Sequence, residues 1–286
     1  MRVLGDERFE LGEGARWVDG RLVFVDLLAG RLLEARGDAP PVEVLRMPMP
    51  LGAVAPVPGK EGWVAAAGTG LWSLAPTTEP RPLVDLGVDP VTTRVNDAVA
   101  DPAGRMWIGT MTYAATPGTG RLHRWHPSTG HAVVLDGLTI PNGPAFDATG
   151  TVLYLADSAL GHIDRLTVDA SGDVADRRPF ARIDPADGSP DGMTVDVAGN
   201  LWVALWGGSA VRRYRPDGTL DVHLPVGARQ PTSVCLGGPD LRTLFITTAG
   251  YGLREPGGAD GALLVATVDV AGRPACPGAV GSALSP

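Results

Sequence analysis

The feature that most constrains this chain is a repeat of about forty-five residues. An apolar stretch, a turn with glycine and a short strand rich in Trp, Val, Leu and Ile recur six times. They read ARWVDGRLVFVDL, GAVAPVPGKEGWVAAAG, DAVADPAGRMWIGTM, GPAFDATGTVLYLADS, MTVDVAGNLWVALWG and TSVCLGGPDLRTLFITT. The first five turn glycines, Gly20, Gly62, Gly104, Gly150 and Gly199, are spaced by 42, 42, 46 and 49 residues, and the sixth turn lies near Asp240. Further strand-like runs follow, such as RLLEARG and PVEVLRM after the first unit. They are short, β-branched or aromatic, and punctuated by Gly, Pro and Asp. Sustained helical periodicity is missing. Four strands repeated six times predict an all-β fold, a six-bladed β-propeller with four-stranded blades, formed by residues 1–286 as one domain. A sandwich would not repeat its sequence, and a solenoid would use shorter units. The last repeat is short of a fourth strand, which the N-terminal RVLGDERFEL is placed to supply, closing the ring and removing open edges.

Hydrophobic residues make up 44% of the chain, enough for a sizeable core, and 39 Gly with 26 Pro suit many turns. The net charge of −8, with acids and bases interspersed, argues against a nucleic-acid partner. No apolar run approaches the ~20 residues of a membrane helix. The opening MRVLGDERFELGEG carries acids where a signal peptide would be apolar. The expectation is a cytoplasmic protein without a membrane or obligate protein partner. The only cysteines, Cys235 and Cys276, form no zinc pattern and are expected as free thiols. His123 and His126 in HRWH fall on opposite faces of a strand, which argues against a shared metal. A GxSxG elbow and a complete phosphate loop are both missing. Trp107 and Trp202, on the second strands, are expected to pack between blades.

Polar residues fall in phase with the repeat. If the first strand of each blade is innermost, the residues that open it share one end of the central channel. Blade 1 offers Glu13 there, and blade 2 only backbone at PLGAV. Blade 3 offers Arg94, Asn96 and Asp97, blade 4 Asn142, blade 5 Asp191, and blade 6 Gln230, Thr232 and Ser233. Glu13 and Asn96 are 83 residues apart, Asn96 and Asn142 46, and Asn142 and Asp191 49. Turn chemistry explains an isolated NG or DG, but does not require a carboxylate or carboxamide at one phase of four blades. Such groups gathered in a channel are costly to leave unpaired, and a cation removes that cost. An all-oxygen donor set suits one hard divalent ion, Ca²⁺, Mg²⁺ or Mn²⁺. Zn²⁺ stays in the set of ions considered, although no histidine sits at this phase.

At these residues the chain resembles the senescence marker protein/gluconolactonase/luciferin-regenerating family, over nearly its whole length. The marks are GEGARW, RVNDAVADPAGRMWIGTM, PNGPAFDATGTVLYLADS and SPDGMTVDVAGNLWVALWGG. The resemblance implies a six-bladed propeller with one catalytic divalent metal in the channel mouth. It implies Glu13, Asn142 and Asp191 as ligands, Asn96 beside the metal and in contact with substrate, and Arg94 binding substrate oxygens. The sequence departs from the family at Ala15, often proline after EG, and in the uncharged loop TYAATPGTG, where sugar-lactone enzymes carry a charged group.

The expected activity is hydrolysis of a small-molecule lactone, in particular a sugar lactone, with Asp191 both ligand and general base. Hydrolysis of other esters or organophosphates on the same centre is the alternative enzyme, and a non-catalytic calcium-binding propeller the alternative class. Tyr113, Trp206 and Tyr251 on the top loops are candidate pocket walls, and His162 could approach substrate. The Gly-rich TTAGYGLREPGG is a candidate cover for the entrance.

Overall fold

A computed structural model describes residues 1–76 and 78–281. It contains six four-stranded antiparallel sheets. The innermost strands are Gly12–Val18, Leu51–Pro56, Thr93–Ala100, Pro141–Phe146, Ser189–Val195 and Pro231–Gly237. Five blades take their strands in chain order, and the sixth takes Arg2–Val3 as its outermost strand. Arg2 pairs with Val265 and Val3 with Leu264, so the ring closes as the sequence predicts. The described helices are two single 3₁₀ turns, Ser158–Leu160 and Pro185–Asp187.

The core is divided into six apolar clusters, each spanning two neighbouring blades. This explains why the second strands are apolar throughout. In Trp63–Ala67, Trp63, Ala65 and Ala67 face the blade 1 side, while Val64 and Ala66 face the blade 3 side. Successive side chains on a strand point to opposite faces, and here both faces are covered. Trp107 is fully buried and meets Phe146 of blade 4 edge-on at 5.4 Å, so the second-strand tryptophans do pack between blades. Its indole N–H donates to Asp101, and that of Trp202 donates to Asp196. These two acids also accept backbone N–H bonds in their lower turns. The recurring DxxG thus joins the turn to the interblade core.

Each inner strand has a β-bulge near its start. The register shifts between Glu13 and Arg16, Leu51 and Ala53, Val95 and Ala98, Asn142 and Ala145, Pro190 and Met193, and Pro231 and Ser233. A bulge adds one residue against the partner strand and re-aims the side chains around it. The polar openers therefore sit where the strands depart from ordinary alternation.

Candidate active site

The residues in phase with the repeat are buried together. Glu13, Arg94, Asn96, Asp97, Asn142 and Asp191 are each no more than 8% exposed. The Asn142 amide nitrogen donates to Asp191 Oδ1 across blades 4 and 5, and to Ser158 Oγ at 3.3 Å. Ser158 in turn donates to the Pro190 carbonyl at 2.6 Å. Arg94 Nη1 donates to Asn96 Oδ1 at 2.7 Å and to the Val95 carbonyl at 2.9 Å. The Asn96 amide nitrogen donates to the Pro141 carbonyl at 3.2 Å, so this side chain is held at both ends and orients Arg94.

Gly143 shows why the local sequence must be Asn-Gly. Its φ is +56°, in the left-handed region, and a Cβ there would lie 2.4 Å from the Asp191 carbonyl oxygen. Its N–H donates to Asp97 Oδ2 at 3.0 Å and to Asn142 Oδ1 at 3.1 Å. Asp97 also accepts from Ala98 N–H at 2.7 Å and lies 3.5 Å from the Arg16 guanidinium. It braces its neighbours.

The electrostatics are those of a set short of positive charge. Burial raises the Glu13 carboxyl from 4.5 to about 8; the Asp97 charge adds to the rise, and the Gly14 N–H, Arg16 and Arg94 oppose it. Burial holds Asp191 well above the usual carboxylate range, reinforced by Glu13 and Asp97. Asp97 is raised by burial, against the pull of Arg16. Arg94 is lowered by burial, with Tyr113, Glu13, Tyr251 and Asp191 acting the other way. Three carboxyls face two guanidiniums, with the hydration of all five largely removed.

A divalent cation fits this set. Among the described residues, no three His, Cys, Asp or Glu side chains gather as ligands of one ion, so an ion here would rest on two carboxylates and a carboxamide. As placed, Asn142 turns its nitrogen to Asp191. A half-turn of the amide presents the oxygen instead; it gives up the Gly143 N–H bond to Asn142 Oδ1, and that N–H keeps its bond to Asp97. Once an ion displaces their protons, these hard oxygen donors would carry two negative charges and match a hard ion of charge 2+.

The remaining predicted residues are placed differently. Tyr113 is exposed and borders a cavity of about 480 Å³ with Met49, Trp72, Pro90 and Thr93. Trp206 is half-buried against the apolar cluster containing Leu11, Leu51 and Ala249. Blade 6 contributes little to the cluster. Gln230 donates to the Ala249 and Tyr251 carbonyls, Thr232 to the Gly12 carbonyl, and Ser233 Oγ accepts from Ala15 N–H. All three lash blade 6 to its own loop or to blade 1. The candidate covering loop is fastened as well: Arg229 pairs with Asp260 at 2.7 Å, and Tyr251 N–H donates to the Glu10 carbonyl. His162 lies 3.5 Å from Asp164 and lines an outer cavity with Arg177 and Phe180, apart from the buried cluster. Both cysteines are free. Arg16 and Ser158 were not singled out by sequence. Arg16 adjoins the GEGA motif that places Glu13, and that adjacency was its one signal.

The sequence model of the SMP-30/Gluconolactonase/LRE-like region matches residues 11–250. Pentonolactonase of Haloferax volcanii is 40% identical over 191 residues, 64% of this chain and 65% of that protein. L-arabinolactonase of Azospirillum brasilense is 33% identical over 265 residues, 90% of this chain and 87% of that one. Among solved structures, a calcium-binding protein, regucalcin, from Agrobacterium tumefaciens superposes with a TM-score of 0.91 at 26% identity, covering 98% of this chain and 97% of that one. The fold, the repeat and this match agree: the chain belongs to the SMP-30/gluconolactonase/LRE-like family.

Proposed function

We propose that this protein is a metal-dependent lactonase acting on a sugar lactone, with Glu13, Asn142 and Asp191 as the ligands of one divalent ion in the channel mouth. The observation that carries the reading is the burial of these three side chains from three blades beside Arg94 and Asn96. A propeller that only displayed a protein-binding surface would have no use for so costly a cluster. Relatives named for pentonolactone and arabinolactone hydrolysis support the substrate class, and a neighbour named as calcium-binding supports Ca²⁺ as the first ion to test.

When bound, the ion supplies Lewis acidity, drawing electron density from the lactone carbonyl and acidifying a nearby water. The chain's own groups do the rest. Asp191 accepts a proton from water as the water oxygen bonds to the carbonyl carbon. It returns the proton to the ring oxygen as the ring C–O bond breaks, giving a hydroxy acid. Arg94 bonds to protein through Nη1, which leaves Nε and Nη2 to meet the substrate or the carboxylate formed. Asn96 fixes that guanidinium. Tyr113, exposed beside Thr93 at the start of the blade 3 inner strand, would stand at the entrance, while Trp206 packs against the neighbouring apolar cluster.

The test is acid release from a panel of pentono-, hexono- and unsubstituted lactones. It is run after chelation and after return of Ca²⁺, Mg²⁺, Mn²⁺ or Zn²⁺. Turnover that disappears with chelator and returns with metal is expected. Hydrolysis indifferent to chelator would refute the metal role, and no turnover on any lactone or ester would favour a binding protein.

A further inference from the structure

The lower end of the channel carries a feature that the proposed reaction does not use. After the strand Leu264–Thr267, the chain crosses the lower face and bonds to all six blades. The Ala271 carbonyl accepts from Val197 N–H of blade 5, and Gly272 N–H donates to the Leu241 carbonyl of blade 6 at 2.7 Å. Arg273 Nη2 donates to the Phe146 carbonyl of blade 4 at 2.9 Å. Ala275 N–H donates to the Trp17 carbonyl of blade 1 at 3.0 Å, Gly278 N–H to Pro56 of blade 2 and Ala279 N–H to Gly104 of blade 3, both at 2.9 Å.

Above this segment lies a small cavity of about 80 Å³, bordered by Arg16, Cys235, Arg273, Ala275 and Cys276. Arg16 forms part of its roof. The Arg16 guanidinium donates to the Ala15 carbonyl of blade 1 at 2.8 Å and to the Ala98 carbonyl of blade 3 at 2.9 Å. It also faces Asp97, which holds Gly143 of blade 4. One side chain therefore ties the bulges bearing Glu13, Asn96 and Asn142. Bulk water below it would compete for each of these bonds.

We infer that residues 271–279 seal the lower mouth of the channel and, through Arg16, hold the bulges of the site above, which makes Arg16 a positioning residue of that site. The positioning half rests on the reading of the upper cluster as the active site; the seal does not.

Cys235 reports the seal directly. It borders that cavity and is buried, and burial pushes its thiol up to about 12, so it should be silent toward thiol reagents. The full chain carrying Cys276→Ser leaves Cys235 as the one thiol to count. In that background Gly272→Val drives a side chain into Leu236, since even a Cβ would lie 2.1 Å from the Leu236 Cβ. Ala275→Pro removes the N–H bonded to Trp17. Both variants should label with N-ethylmaleimide at least about a hundredfold faster under native conditions. Circular dichroism and scattering are checked alongside to show the ring intact. Equal labelling of parent and both variants overturns the seal.

For Arg16, titration with Mn²⁺ alone is the readout. Arg16→Met should weaken binding about tenfold, and Arg16→Lys should recover part of the loss. Unchanged Mn²⁺ affinity in Arg16→Met overturns the positioning role. A parent that binds no Mn²⁺, Ca²⁺ or Mg²⁺ would instead sink the active-site reading and the positioning role with it, leaving the seal to stand or fall on the labelling.

Discussion

Replacing Glu13 by Gln should stabilise the metal-free protein at alkaline pH and destroy its response to metal. Burial and the Asp97 charge raise the Glu13 carboxyl from 4.5 to about 8. At about 1.4 kcal/mol per pH unit, that rise corresponds to on the order of 4 to 5 kcal/mol of folding free energy. The folded chain keeps this proton to a higher pH than the unfolded chain. Below pH 4.5 the group contributes no difference. From 4.5 to about 8 the unfolded state binds fewer protons, so stability falls as pH rises, and above about 8 the loss is complete. Glutamine has no proton to lose, and its amide oxygen can still accept the Gly14 N–H that Glu13 Oε2 accepts at 3.0 Å. Urea unfolding in chelator should therefore give parent and Glu13→Gln curves that meet near pH 4.5 and part by several kcal/mol at pH 9. Saturating Ca²⁺ should close about half or more of that gap. Ligand at a hundred times its dissociation constant adds about 2.7 kcal/mol to the parent, and the variant with one carboxylate fewer should gain far less. Parallel pH curves in chelator, or equal stabilisation of both proteins by Ca²⁺, would refute the reasoning.

Asp191→Asn should lower kcat on lactones by about a hundredfold or more through loss of its proton acceptor; near-normal turnover with metal retained would remove Asp191 from that role. Gly143→Ala places a Cβ 2.4 Å from the Asp191 carbonyl oxygen at φ +56°. It should cost about 2 kcal/mol or more in denaturant unfolding and weaken metal binding, which calorimetry would show. Buried His123 is lowered from 6.5 to about 4 by burial and by His131, whose ring nitrogen lies 2.9 Å away. The unfolded chain takes up this proton first as pH falls, so stability should drop by about 3 kcal/mol between pH 6.5 and 4. Unfolding curves of His123→Leu should be flatter over that window, and equal slopes would reject the assignment.

The architecture was legible because the repeat is periodic in exactly what a blade needs: Asp and Gly in the lower turn, then an apolar second strand buried on both faces. The phase argument singled out Glu13, Asn142 and Asp191, which the structure buries together, because equivalent residues of different blades occupy equivalent places on the ring. It could not separate blade 6 from the rest. Gln230, Thr232 and Ser233 have the same phase, but their partners are backbone groups of blade 1 and of the following loop. Such partners carry no sequence signal. Arg16 was hidden for a similar reason, since its bonds go to the Ala15 and Ala98 carbonyls. The loop TTAGYGLREPGG reads as loose from its glycines, yet from outside the motif Arg229 donates to its Glu255 carbonyl and Asp260 accepts its Gly257 N–H. Composition describes freedom in an isolated segment and says little about what a neighbour removes.

The outermost strand of blade 6 comes from the beginning of the chain, with Arg2 opposite Val265. That pairing means the blades do not behave as an open row of modules. In an open row each unit meets only its neighbours, folding spreads from any point, and the ends fray first. Here residues 2 and 3 must wait for residues 264 and 265, so completion of the ring is a long-range event and slow by its topology. Once closed, the protein offers no terminal blade from which unfolding can start. A loss of packing between any two blades is then felt as a loss of closure by all six.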